Sequence, residues 1–126
     1  MTLPENLKYT KDHEWIRVEG TTGTVGITDH AQGELGDVVF VELPAAGKAV
    51  KRGESFGTIE AVKAVSDLYA PATGQIMETN NDLSANPELV NKDPYGKGWM
   101  VRIKLTNPGE IKDLMDAPAY KASIGK

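Results

Sequence analysis

The stretch GTIEAVKAVSDLYAPATG, residues 57–74, sets one lysine among small and apolar neighbours, with Glu60 three positions before Lys63 and Asp67 four after it. An amine in such a setting has three uses. It can attack a carbonyl as a Schiff-base nucleophile, it can be acylated so that its long stem carries a group beyond the surface, or it can remain a solvated charge. A Schiff-base lysine needs a dry pocket or neighbouring cations to shed its proton, whereas nearby carboxylates hold the ammonium. The acids around Lys63 weigh against nucleophilic catalysis, and no other convincing catalytic constellation stands in the chain. The absence of cysteine excludes thiolate catalysis, disulfides and cysteine metal sites. The two histidines, His13 and His30, are too few and too isolated for a typical zinc site.

Lys63 needs a turn to present it. SFGTIEAV and AVSDLYAP read as strands on either side, so the reversal falls on Ala61-Val62-Lys63-Ala64. That turn lacks the Asn-Gly or Asp-Gly signal of a tight hairpin, and valine is a poor turn residue, although a type I turn accepts it. A place where a sequence breaks a local rule is one to suspect of function.

The elements around it are short apolar runs broken by turn residues. LKYT (7–10), EWIRVEG (14–20), TVGIT (24–28), DVVFVELP (37–44), QIMETN (75–80) and WMVRIKLT (99–106) read as strands, with a further short strand inside AAGKAVKRGES. Thr28 caps a brief helix over DHAQGEL, and Gly36 ends it. NDLSANPELVNKDPYGKG reads as a long polar loop punctuated by Pro87 and Pro94. In the tail, Asn107, Pro108 and Glu110 read as an N-cap, a first-turn proline and a capping-box acid, and a second short helix starts at Asp116. Trp15 and Trp99 are expected in the core. The pattern predicts a mainly β sandwich or barrel with short peripheral and C-terminal helices.

With 126 residues, residues 1–126 are expected to form a single domain. A net charge of −4 without a basic cluster argues against nucleic-acid binding, and no apolar run reaches the length of a membrane span. The opening MTLPENLKYT shows neither a signal-peptide core nor an Arg-rich transit pattern, so a cytoplasmic protein is expected.

Four blocks in order resemble the glycine cleavage system H proteins, members of the lipoyl-domain superfamily. They are LKYTKDHEWIRVEG, TVGITDHAQGELGDVVFVELP, FGTIEAVKAVSDLYAPATGQI and PELVNKDPYGKGWMVRIKL, which together cover nearly the whole chain. The third resembles the lipoyl-lysine segment, with Gly57, Glu60, Lys63 and Gly74 at the family's offsets. Biotin carriers of the superfamily usually flank their lysine with methionines, so Val62 and Ala64 point to lipoyl.

The resemblance implies a barrel-sandwich hybrid, a flattened β-barrel of two small sheets. A lipoyl hairpin spans about 55–80 and a helical tail about 107–126. It implies lipoate joined to Lys63 at the hairpin apex. It further implies a non-catalytic carrier, expected as a monomer, that shuttles the methylamine group of glycine. The partners implied are glycine decarboxylase (P-protein), the aminomethyltransferase (T-protein), dihydrolipoamide dehydrogenase (L-protein) and a lipoate-attaching enzyme. In the family the loaded arm folds into a cleft, where Glu14 and Asp67 occupy the positions that meet the cationic amine. Asp12 stands where a small hydroxyl residue is also found, which makes that berth more acidic. His30 either lines the cleft or is structural. Glu60 is either a specificity element for the lipoylating enzyme or an outward strand acid.

Overall fold

The computed structural model describes residues 2–125. Among the described residues nine strands run β1 (Lys8–Tyr9), β2 (Glu14–Glu19), β3 (Thr22–Ile27), β4 (Val38–Glu42), β5 (Ala49–Val50), β6 (Ser55–Ala61), β7 (Val65–Tyr69), β8 (Gly74–Thr79) and β9 (Val101–Leu105). They form two antiparallel sheets, one of six strands ordered β1-β2-β3-β9-β8-β5 and one of three ordered β4-β6-β7. The mainly β, two-sheet architecture is the one expected. Its hydrogen bonding does not run round into a closed barrel, because each sheet keeps two edges.

Period-two alternation explains why the sheets face each other. In β9, Val101, Ile103 and Leu105 point inward while Arg102 and Lys104 point out. Ile16, Val25, Val41, Ile59, Leu68 and Ile76 belong to the same buried cluster, drawn from both sheets. A second, smaller cluster gathers Leu7, Tyr9, Trp15, Ala117 and Tyr120. It fastens the C-terminal helix α4 (Ala117–Ser123) to β1, with the Tyr9 and Tyr120 rings stacked 4.8 Å apart.

The helix α1 (Asp29–Leu35) begins and ends where the sequence indicates. Thr28 accepts a hydrogen bond from the Ala31 N–H, and Gly36, at φ +79°, donates its own N–H to the Gln32 carbonyl. Asp116 caps α4 in the same manner through Ala119 N–H.

Elsewhere tertiary partners overrule local signals. The polar stretch read as loop contains two single-turn helices, α2 (Asp82–Ala85) and α3 (Leu89–Lys92). Each is pinned by one buried side chain, Leu83 and Val90, too sparse an apolar pattern to show a helical period. Residues Pro108–Asp113 form a 3₁₀ helix, but Asn107 makes no side-chain cap. Glu110 accepts from the Thr73 N–H at 2.7 Å and hydroxyl at 2.9 Å instead of closing a capping box. Trp15 is buried in the core, whereas Trp99 is only half-buried, under the Arg102 guanidinium 4.2 Å from its ring centre.

Gly57 and Gly74 owe their places to close backbone approach. A Cβ on Gly57 would overlap the Glu42 carbonyl oxygen, and one on Gly74 would overlap the Lys104 carbonyl oxygen and lie 2.6 Å from Ile103 Cγ2. Both carbonyls belong to the backbone and cannot swing away. Gly57→Ala and Gly74→Ala are each expected to cost about 2 kcal/mol or more, roughly 8 °C in Tm. Gly33, inside α1 with open space where a side chain would go, supplies the control. Gly33→Ala is expected to raise stability by about 0.5–1 kcal/mol, because alanine is the better helix former. Thermal melts of the three variants check both signs.

Candidate functional site

Lys63 stands at the apex of the β6–β7 hairpin. The turn is closed by Ala61 N–H donating to the Ala64 carbonyl at 2.8 Å, leaving Val62 and Lys63 as the exposed tip. The tip is braced rather than free. Val62 N–H donates to the Asp37 carbonyl at 2.9 Å, tying the apex to the loop between α1 and β4. The Lys63 stem runs across Gly36, where a Cβ would meet its Cδ at 3.3 Å and its Cε at 3.4 Å. That loop is fixed in turn by Asn91 of α3. Its side-chain amide donates to the Gly36 carbonyl at 2.9 Å and to Gln32 Oε1 at 3.0 Å, and its Oδ1 accepts from Val38 N–H at 2.8 Å. A poor turn sequence is thus stabilised by outside partners.

Glu60 is exposed on β6, beside Phe40 of β4 and Val65 of β7 in the register. Asp67 is exposed on β7, four residues from Lys63, about 13 Å at the rise of an extended strand. Two residues beyond it, the edge of β7 meets Glu14. That carboxyl is only 2% exposed; Oε1 accepts from the Thr10 hydroxyl at 2.9 Å and Oε2 from Tyr69 N–H at 3.4 Å.

Among the described residues no salt bridge reaches Glu14, and burial pushes its pKa up to about 8. The two hydrogen bonds pull it down by less, and nearby Asp12 adds to the rise. Burial thus favours the neutral acid over the carboxylate. Glu14 borders a cleft of about 440 Å³ that also takes in Thr10, Asp12, Arg52, Asp113 and Met115. Arg52, at the cleft's edge, is already engaged, 2.9 Å from Asp113 and 3.8 Å from Glu110.

The structure therefore brings Asp12 and Glu14 together on the cleft, sets Asp67 on the β7 edge between it and Lys63, and places His30 outside its lining. His30 packs on His13 instead, ring centres 4.9 Å apart, so histidines that look isolated in sequence are neighbours in space. His13, at φ +69°, bonds the Tyr120 hydroxyl through Nδ1 at 2.8 Å. Burial, then His30, holds its pKa below the usual imidazole value. Among the described residues no group of three or more His, Cys, Asp or Glu is placed to hold a metal ion. Thr10, Arg52, Asn91 and Asp113 escaped the sequence reading, and Gly36 reads there only as a helix stop. The roles of Asn91, Arg52 and Asp113 come from partners far along the chain, 61 residues apart for Arg52 and Asp113, and no local signal marks them.

These features suit an acyl chain on Lys63. Lys63 is exposed, its stem has a bed on Gly36, and a cleft with charged and apolar lining opens past the base of the same hairpin, at Gly53 and Ala70. They define a two-sheet domain with a single lysine at a braced hairpin tip. A sequence model described as "Glycine cleavage H-protein" matches residues 7–126. The glycine cleavage system H protein of Bacteroides thetaiotaomicron is 56% identical over 124 residues, 98% of each chain. That of Symbiobacterium thermophilum is 58% identical over 120 residues, 95% of this chain and 94% of the relative. The crystal structure of a glycine cleavage system H protein from Mycobacterium marinum superposes with a TM-score of 0.91. It shares 42% identity and covers 98% of this chain and 100% of that one. The chain belongs to the glycine cleavage H-protein family, the lipoyl carriers of the glycine cleavage system.

The Glu14 carboxyl gives the site a pH signature. Its folded-state pKa lies above the ordinary value of 4.5, so between about pH 4.5 and 8 the folded state holds more protons than the unfolded. Stability contributed by the neutral form is therefore lost as pH rises through that window. Glu14→Gln removes the titration. From pH 5.5 to 8.5 the unaltered protein should lose at least about 1 kcal/mol more than the variant, roughly 4 °C in Tm. Paired melts across that range check it; parallel curves would show a solvated Glu14.

Proposed function

We propose that Lys63 is the lipoyl attachment site. On this reading the chain is a non-catalytic cytoplasmic carrier, a single domain, serving glycine decarboxylase, the aminomethyltransferase and dihydrolipoamide dehydrogenase. The observation that carries the reading is the braced apex: Lys63 is exposed at the tip, the backbone beside it is tied to Asp37 through Val62 N–H, and its stem lies against Gly36. In acylation, Nζ attacks as the free amine on an activated lipoyl carboxyl. The C–N amide bond forms, the bond to the leaving group breaks with its electron pair, and the amine proton leaves. The attached group supplies a disulfide ring that is reduced and reoxidised and that holds the one-carbon amine in transit.

The chain's own residues orient and shelter. Family identity supports this division. A cationic cargo amine brought to the cleft would favour the ionised form of Glu14, with Asp67 and Asp12 adding negative charge on the way. A charge-assisted hydrogen bond there is worth about 1.5–3 kcal/mol. An arm without cationic cargo has no such attraction and stays available to enzymes.

Lys63→Arg should retain the fold and abolish both lipoyl loading and glycine-cleavage turnover; full turnover by that variant would overturn the assignment. Inserting one residue between Val62 and Lys63 should also stop loading, because it displaces the amine from the Gly36 bed. For the cleft, Glu14→Gln combined with Asp67→Asn should leave loading intact. It should speed spontaneous loss of cargo from the loaded, enzyme-free protein roughly tenfold, equivalent to about 1.4 kcal/mol of lost protection. An unchanged decay would show these acids to be ordinary charges.

A further inference from the structure

The described residues expose six large hydrophobic side chains, and four of them, Val39, Phe40, Val62 and Val65, surround the Lys63 hairpin. The register explains how they meet. Phe40, Glu60 and Val65 form one cross-strand row on the outer face of the β4-β6-β7 sheet, and Glu42, Thr58 and Asp67 form another beside it. A register shift between Val38 and Phe40 leaves Val39 exposed as well, and Val62 belongs to the tip itself. Val62 is 72% exposed and Val65 65%, large fractions for side chains with no function in solubility. The three strands contain no lysine or arginine, so the face is apolar with three carboxylates set through it.

We propose that this face is the docking surface for the enzyme that attaches the lipoyl group. The inference rests on Lys63 being the attachment site. A second copy of the chain is a poor occupant, because facing copies would bring Glu42, Glu60 and Asp67 against their own kind. An enzyme that works on the far end of a loaded arm meets its target many bonds beyond Nζ. The attaching enzyme must bring its reacting centre to Nζ itself, and so must cover the strands beside the apex. The chemistry it needs is an apolar recess for Phe40 and Val65, rimmed by lysine or arginine opposite the carboxylates. Apolar anchors provide affinity, and the charges provide approach and register.

The test uses the full chain and a purified lipoate–protein ligase with its substrates, with loading read as intact mass against carrier concentration. Phe40→Ser with Val65→Ser should raise the KM for the carrier roughly tenfold, with kcat within about twofold and Tm little changed. Val62→Ser with Val65→Ser repeats the test at the most exposed positions if the first pair melts early. Met77→Ser, an exposed apolar residue on the other sheet, should leave KM unchanged. A face-variant KM equal to that of the unaltered protein overturns the docking surface while leaving Lys63 as the site. Failure of the unaltered protein to gain lipoyl mass at Lys63 overturns the attachment reading itself. A carrier dimer in sedimentation that these substitutions dissolve would assign the face to a second copy and also overturn the proposal.

Discussion

The hydrogen bond from Val62 N–H to the Asp37 carbonyl holds the site together. A hairpin whose tip reads Ala-Val-Lys-Ala has no turn residue to fix it, and an apex without glycine or asparagine frays unless something outside supplies the order. Here the supply chain is physical and short. Asn91 bonds Gly36, Gln32 and Val38, those residues fix the loop after α1, and that loop holds Val62 and beds the Lys63 stem. The positive φ of Gly36 thereby serves two ends. It stops α1, and its lack of a side chain opens the space through which the lysine passes.

The same hairpin organises the electrostatics. The β7 strand carries an exposed acid toward solvent at Asp67 and meets a buried one at its edge through Tyr69 N–H. Two cations, Lys11 and Arg52, line the cleft beside Asp12, Glu14 and Asp113, and Arg52 is claimed by Asp113 and Glu110. A carboxyl kept neutral by burial is a poor ion-pair partner until a cation displaces its proton. The bare cleft is therefore less anionic than its count of acids suggests, which suits a berth that holds cationic cargo and releases a neutral arm.

Much of this was legible in the sequence wherever the signal is local. The Thr28 cap, the Gly36 stop, the alternation of β9 and the oddity of the Lys63 turn are all written in a few adjacent residues. Four block matches carried the two-sheet fold and the family. What stayed hidden depends on partners distant in sequence. Leu83 and Val90 make helices of a polar stretch because each finds the core, and Glu110 abandons its own helix for Thr73, 37 residues away. The apolar run in β4 is nearly continuous in the sequence, yet the register shift leaves Val39 and Phe40 exposed. No composition rule distinguishes a buried valine from one that waits for a partner.

The account's central claim is that one amine, at one braced apex, carries the group. Peptide mapping by mass spectrometry of protein isolated from its own host, without added lipoate, tests it most directly. The account predicts a lipoyl adduct on the peptide containing Lys63 and on no other lysine. An unmodified Lys63 in actively glycine-cleaving cells, or an adduct mapped to a different lysine, would contradict it.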